Sequence, residues 1–514
     1  MKVLTILEVS QKQAYIFSSN ELKDNIANSA VIAWIMSPEY FEKVVGDHEL
    51  FHKEKNLVYS GGGHTVLEFD TREKAVEFTK VITTTIHKEY QGIEVFAVSM
   101  ECENERLGEN LVKLTEKLER KKAIRQSAFH QGSFGVEKIN ANTLKPMVKG
   151  ETIEGIHNQM PDAEEKIDKA LSPDGYERAK KFKDLGGSKN QSNFIAVVHI
   201  DGNAMGNRVE NLHKKFADYP WDEYKKELQK FSKSIDDQFK EAYKNMTSKV
   251  RESLEQGNLK DKLELFDKKF PVRRIITAGD DICFVAEGRI GLECAVIFIR
   301  ELCKLRNQVD GESYSACAGV AIVHQKYPFY KAYELAEMLC SNAKKFGAGY
   351  SEDKTGKEIS AIDWHIEFGE MKDSLEEIRE SYQTNDGKRL ELRPYIVDAP
   401  DSIMKEERIR RYENFKKLIT KVLDNEIAYA RGKMKELRNV LKEGSDQAEY
   451  YIKFNKLQDF TLESYQGTYT DVIHEKLFTG EGLDRKVFVE TNDHIIRSIA
   501  FDAIEMLDTF IAVE

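Results

Sequence analysis

An apolar run, Phe194-Ile-Ala-Val-Val-His-Ile-Asp201, ends on an acid and turns at once through Gly202-Asn203-Ala204-Met205-Gly206. After a long charged stretch a second apolar run breaks at Ala278-Gly279-Asp280-Asp281 and resumes as Ile282-Cys-Phe-Val-Ala286. Short runs of this kind, bounded by glycine, form strands, and a Gly-Asp pair between two of them closes a hairpin. The chain is thereby committed to a sheet with acids at its strand ends. The apolar flanks of the hairpin predict that both of its strands lie in the middle of that sheet.

Two segments repeat one order of elements. The first reads as strand Lys2–Val9, helix Glu21–Met36, strand Asn56–Ser60, turn Gly61-Gly62-Gly63, strand His64–Phe69, helix Thr71–Tyr90 and strand Ile93–Met100. The second reads as strand Phe194–Asp201, the Gly279-Asp280 hairpin, helix Arg289–Leu305, strand Ser313–His324 and helix Pro328–Phe346. Both are β-α-β-β-α-β, the ferredoxin-like palm arrangement. The expected fold class is α+β. Two palms stand in tandem, at 1–110 and 191–370, joined by a basic helix (Leu111–Gln126) and connector over 111–190. The charged insert Arg208–Lys269 predicts a solvated helical pair. Ile359–Ile366 reads as a further strand, and 371–514 as a mostly helical C-terminal domain, clearest over Met404–Leu441.

Composition narrows the class. A chain of 514 residues, 41% hydrophobic and 32% charged, is ample for several globular cores. Its net charge of −11 argues against a broad nucleic-acid grip, while leaving room for a local phosphate cradle. The longest apolar runs, such as Ala30–Met36, are too short to span a membrane, and Met1–Leu7 begins like a strand, not a signal peptide. The six cysteines (102, 283, 294, 303, 317, 340) form no C-x-x-C pair, so reduced core residues of a cytoplasmic protein are expected.

Asp201, Asp280 and Asp281 carry the chemistry. Singly, each is an ordinary turn acid; together, on neighbouring apolar strands, they are costly unless they hold cations. Two Mg²⁺ or Mn²⁺ ions roughly 3.5–4 Å apart require carboxylates converging in this way, with room for a nucleoside triphosphate. The glycines of Gly202–Gly206 let amides face phosphate oxygens at a helix start. Lys344, closing a helix after the last sheet strand, is a candidate for the β/γ phosphates, although the helix dipole alone also favours a cation there. Gly61-Gly62-Gly63-His64 has no carboxylate in its turn, so this hairpin suits a base, a ribose or a second nucleotide. No P-loop, G-x-G-x-x-G, H-E-x-x-H or His-Asp pair is present.

These residues resemble the polymerase/cyclase large subunit of type III CRISPR effector complexes. Val9-Ser-Gln11-Lys-Gln-Ala-Tyr15-Ile-Phe17-Ser-Ser-Asn-Glu-Leu22 is similar to that family's first palm, Ala27-Asn-Ser29 to its nucleotide-facing small triplet, and Tyr59-Ser-Gly-Gly-Gly-His64 to its acid-free hairpin. His199-Ile-Asp201-Gly-Asn-Ala-Met-Gly206 and Ala278-Gly-Asp-Asp281 resemble the catalytic second palm. Ala278 replaces the first glycine of the family's Gly-Gly-Asp-Asp, which bears on catalytic rate more than on metal binding. Palm-like sequence begins at residue 1 and the family's zinc-binding cysteine pairs are absent, so the expectation is a stand-alone relative without the nuclease domain.

The resemblance implies a Mg²⁺-dependent nucleotidyltransferase that joins or cyclises ATP, or another nucleoside triphosphate, into an oligonucleotide signal for antiviral defence. A downstream effector with a ligand-sensing domain is the implied partner. Asp201 and Asp280 are expected to bridge two metals, with Asp281 as third ligand or as a support just behind the ligands. One nucleotide is expected along Gly202–Gly206, Ala278-Gly279 and Lys344, the other near Ser29 and Gly61–His64. The competing reading is a nucleotide-binding scaffold or sensor that has lost turnover, favoured by Ala278. A single-ring cyclase or a dinucleotide synthase of the GGDEF type is a third.

Overall fold

The computed structural model describes residues 2–90, 92–124, 135–139, 160–185, 192–352, 354, 356–369, 372–424, 430–457 and 487–514. The first palm comprises β1 (Val3–Ser10), α1 (Lys12–Ile16), α2 (Leu22–Ile35), α3 (Pro38–Val45), α4 (Lys53–Asn56), β2 (Leu57–Gly61), β3 (His64–Phe69), α5 (Arg72–Glu89) and β4 (Glu94–Glu101). Its antiparallel strands lie in the order β2-β3-β1-β4. Gly62 (φ 59°) and Gly63 (φ 77°) close the β2–β3 hairpin. A two-residue turn with both φ positive matches the twist of the strands, and two glycines take it without strain. Helix α6 (Leu107–Ala123) begins four residues before the expected Leu111 and buries Leu107, Leu111, Leu114 and Leu118. The expected end of this helix, at Gln126, lies outside the described residues.

Helix α7 (Asp162–Ala170) precedes the second palm, which comprises β5 (Phe194–Gly202), α8 (Met205–Lys215), α9 (Trp221–Gln256), β6 (Val272–Ala278), β7 (Asp281–Glu287), α10 (Gly291–Cys303), β8 (Ala316–His324), α11 (Phe329–Ala348), β9 (Ser360–Glu367), α12 (Leu375–Glu380) and β10 (Tyr395–Asp398). The sheet runs β10-β9-β8-β5-β7-β6, with β8 and β9 parallel and the other neighbours antiparallel. Central β5 is covered on both faces, which is why it reads as an unbroken apolar run.

Two expectations need correcting. Only β7 of the acid hairpin is interior; β6 is an edge strand. Its apolar character comes from being covered instead of flanked. Asp168 of α7, 1% exposed, accepts 2.6 and 2.8 Å hydrogen bonds from Arg273 of β6, and α2 of the first palm packs on the same strand. Covering an edge in this way blocks further pairing. The charged insert does form two helices, α8 and α9, but α9 is no solvated excursion. It buries Tyr224, Leu228 and Phe231 beside first-sheet residues such as Val58 and Val66. Further along, Phe239, Tyr243, Met246 and Val250 enter the core of the second sheet. The 3.6-residue recurrence of these apolar positions hides one inward stripe among many charges.

The C-terminal part holds α13 (Asp401–Glu406), α14 (Tyr412–Asp424), α15 (Arg431–Glu443), α16 (Ser445–Phe454), the hairpin β11 (Phe488–Glu490) with β12 (Ile496–Ser498), and α17 (Phe501–Glu505). It is fastened to the palm sheet by Arg393, wholly buried and 2.7 Å from Glu505. All six cysteines are unpaired thiols, and no described helix is long and apolar enough to cross a membrane.

Candidate functional site

Strand register brings the acids together. Asp201, at the end of β5, stands directly opposite Asp281, the first residue of β7. Gly279 (φ 68°) and Asp280 form the two-residue turn between β6 and β7, and glycine is the residue that accepts positive φ at the first position of such a turn. The Gly202 amide donates to the Asp280 carbonyl at 3.2 Å, stitching the end of β5 to the hairpin tip. A Cβ on Gly202 would lie 2.9 Å from Asp280 Cβ and 3.2 Å from Phe239. Only glycine fits there.

The acids repel one another in a partly buried place. Burial, and then the charge of Asp201, push Asp280 up to about 6 and Asp281 up to about 7. One Asp281 oxygen, Oδ1, is shut off from water and accepts no hydrogen bond; His199 Nδ1 stands 3.5 Å away. Burial keeps that imidazole below its ordinary pKa, hence neutral near pH 7. Tyr333 Oη lies 3.4 Å from His199 Nδ1, and Gln13 of the first palm donates to Tyr333 at 3.3 Å and to Glu337 at 2.8 Å. A chain of polar contacts thus runs from the first palm to the buried oxygen of Asp281.

Lys344 of α11 donates to Asp201 Oδ2 at 2.6 Å and to the Gly202 carbonyl at 2.9 Å. Burial works against its charge, but the Asp201 carboxylate outweighs that and holds its pKa above the ordinary value. This pairing qualifies the expected three-acid metal set. Among the described residues no group of three or more His, Cys, Asp or Glu is arranged to hold a metal ion, and Lys344 pairs with Asp201. Asp280 and Asp281 nonetheless fit a divalent cation: two raised carboxyls with an unsatisfied buried oxygen are a donor set that lacks positive charge.

The Gly202–Gly206 turn also differs from expectation. The amides of Gly202 and Asn203 are taken by the carbonyls of Asp280 and Ser315, so they do not face a ligand. The Asn203 side chain is buried and donates to the Ile359 carbonyl at 2.7 Å, which makes it a tie to the β9 approach and not a phosphate contact. Ala204 (φ 53°) caps α8 without a side-chain hydrogen bond. The first-turn amides at Met205 and Gly206 have no acceptor within the helix, which leaves them as the open donors of this turn.

The two hairpins border one cavity of about 1150 Å³. Ser29, Gly61, Gly62, Gly63 and His64 of the first palm line it, with Ala278, Gly279, Asp280 and Asp281 of the second. A second, more apolar cavity of about 690 Å³ lies beyond the same tips, against Met205, Gly206 and Val209 of α8. Ala278 has no positive φ and packs on the core, so its methyl strains nothing in the hairpin. His64 is pushed down to about 4, by burial and then by Lys12. Lys12, Tyr59 and Arg274 also line the large cavity. Sequence reasoning gave none of the three a role of its own, because Lys12 opens a short helix and Tyr59 and Arg274 sit in otherwise ordinary strands.

Residues 194–350 match the family model of Cas10/Cmr2, second palm domain. No curated protein matches the sequence. Among solved structures, a chain of the Csm1-Csm4 cassette in complex with cA3 is similar with a TM-score of 0.55 at 14% identity, over 99% of this chain and 70% of that one. Csm1 in T. onnurineus gives 0.51 at 16% identity, over 100% and 70%. In the cassette with pppApA the match, with a TM-score of 0.45 at 15% identity, covers 70% of this chain and 54% of that one. Residues 194–350 are thus Cas10/Cmr2-like, and they sit within an α+β fold of two palms in tandem similar to that of Csm1.

Proposed function

We propose that the chain is a nucleotidyltransferase or cyclase, joining nucleoside triphosphates, ATP foremost, with Mg²⁺ or Mn²⁺ held at Asp280 and Asp281. The observation that carries this reading is the acid hairpin facing Asp201 at the wall of a cleft shared by two palms. A divalent cation bound there supplies charge that stabilises a pentacoordinate phosphate and acidifies a ribose hydroxyl. The protein itself orients. Gly202 keeps the hairpin tip against β5, the α8 amides at Met205 and Gly206 meet phosphate oxygens, and the acid-free Gly61–His64 hairpin accommodates a second nucleotide. Neutral His64 adds a polar edge without charge.

Further support comes from what similar proteins bind: Csm1-Csm4 cassettes are described in complex with cA3 and with cA4. A cyclic or linear oligonucleotide serving as a defence signal, read by a separate ligand-sensing effector, is the corresponding proposal for this chain. The test is product analysis by mass spectrometry after incubation with each of the four triphosphates and Mg²⁺ or Mn²⁺. Oligonucleotides longer than one residue are expected from at least one of them; unchanged triphosphate from all four contradicts the reading.

The Lys344–Asp201 pair favours a second reading, a nucleotide-binding sensor that does not turn over. It predicts triphosphate binding with no product, and full biological effect in an Asp280→Asn/Asp281→Asn variant.

A further inference from the structure

Five described cations border the large cavity: Lys12, Lys53, Lys233, Lys240 and Arg274. Four are matched to carboxylates. Lys53 pairs with Glu39, Lys233 with Asp237, Lys240 with Asp236 at 2.6 Å, and Arg274 with Asp168 at 3.5 Å. Lys344, the cation first expected on phosphate, is held by Asp201. Lys12 alone of the five has no carboxylate partner among the described residues; its ammonium donates only to the Gly62 carbonyl.

Its position is built. Gln11 takes the left-handed conformation (φ 50°) just before α1, a costly choice for a residue with a Cβ. The Lys12 stem then crosses the β2–β3 hairpin against Gly63, where a Cβ would lie 2.7 Å from Lys12 Cδ. Gly63 therefore supplies more than a positive φ: it is the floor on which this side chain lies. An ammonium carries three donors, and the Gly62 carbonyl takes one. Across the cleft are Asp280 and Asp281, and the Lys12 charge is felt at Asp281 and His64. A cation from one palm thus faces acids from the other across a space large enough for a nucleotide.

We propose that Lys12 is the phosphate-binding cation of the cleft, contributed by the first palm to the polyphosphate of a nucleotide seated against the acid hairpin of the second. This rests on the cleft being a nucleoside triphosphate site. It assigns the third glycine of the first-palm hairpin to substrate binding, and it makes phosphate recognition depend on the two palms being seated together. Lysine serves here as a point charge, the form in which it commonly holds phosphate.

The test is calorimetric binding, with Mg²⁺ present, of a non-hydrolysable ATP analogue and of adenosine to the wild type, Lys12→Gln and Lys344→Gln. Lys12→Gln is expected to weaken the analogue at least tenfold and to leave adenosine within twofold, with Lys12→Arg restoring part of the loss. Analogue binding within twofold of wild type in Lys12→Gln overturns the assignment. So does an equal loss of adenosine, which means that Lys12 only ties α1 to the hairpin. If the wild type binds neither ligand, nor the analogue of any other triphosphate, the nucleotide site itself is wrong and Lys12 falls with it.

Discussion

Asp201 and Asp281 face each other across the β5–β7 ladder, on adjacent strands and in register. Like charges directly opposite in a sheet are destabilising, and Lys344 pairs directly with Asp201 but not with Asp281. The strain left on Asp281 is what a cation removes. In the metal-free protein, Asp281→Asn is therefore expected to raise stability by about 1 kcal/mol, seen as a melting temperature about 1 °C higher for a chain of this length. The same change is expected to lower turnover by roughly 10³-fold, the cost of several kcal/mol of lost charge stabilisation. Thermal melts beside steady-state rates check the opposite signs.

Protons compete with the metal. Both hairpin acids are raised, Asp280 to about 6 and Asp281 to about 7, so below pH 7 a cation must displace protons to bind. Apparent Mn²⁺ affinity is expected to fall as pH drops from 7 to 5, by up to about tenfold per unit for each carboxyl being protonated. The metal-free protein is expected to show the reverse trend in stability. A raised acid stabilises the native state fully below its unfolded pKa, and that contribution is lost as pH rises to about 7. Titrations of Mn²⁺ binding and of unfolding across this range measure both.

Helix α11 carries Tyr333, Glu337 and Lys344, and its approach to the sheet depends on Gly319 of β8. A Cβ at Gly319 would lie 1.9 Å from the Ala336 carbonyl and 2.4 Å from the Cys340 amide. Gly319→Ala must push the helix outward, at a cost of about 3 kcal/mol or more. Chemical denaturation should show that loss, and nucleotide turnover should fall with it, since Lys344 moves relative to Asp201.

The polar chain from Gln13 to Asp281 couples the palms. Tyr333→Phe removes the hydroxyl beside His199 while keeping the ring packed on Phe17. Turnover is expected to drop about threefold to tenfold, as for the loss of one hydrogen bond of about 1 kcal/mol. Nucleotide affinity should stay within twofold. A kcat-against-KM comparison separates this from a binding defect.

Much of this was legible in residues. Strands β1, β3, β5 and β7 announce themselves because a strand between covered faces must be apolar, and the Gly62-Gly63 and Gly279-Asp280 turns because positive φ selects glycine. Covering β6 from the side leaves the same apolar signature as burying it mid-sheet, so its edge position was hidden. The inward stripe of α9 was masked by the charges around it. In the site, the three acids were readable as a set, but Lys344 on Asp201 and the inward turn of Asn203 are tertiary contacts between elements far apart in sequence. Lys12 lay within the quoted Val9–Leu22 stretch without a role of its own, since its meaning depends on where Gly63 lies.

Pyrophosphate release, measured side by side for the wild type and Asp280→Asn/Asp281→Asn with ATP and Mg²⁺ or Mn²⁺, tests the central claim most directly. The account predicts metal-dependent release from the wild type and at least 10³-fold less from the variant. Equal release from both, or none from a wild type that binds the nucleotide, contradicts it.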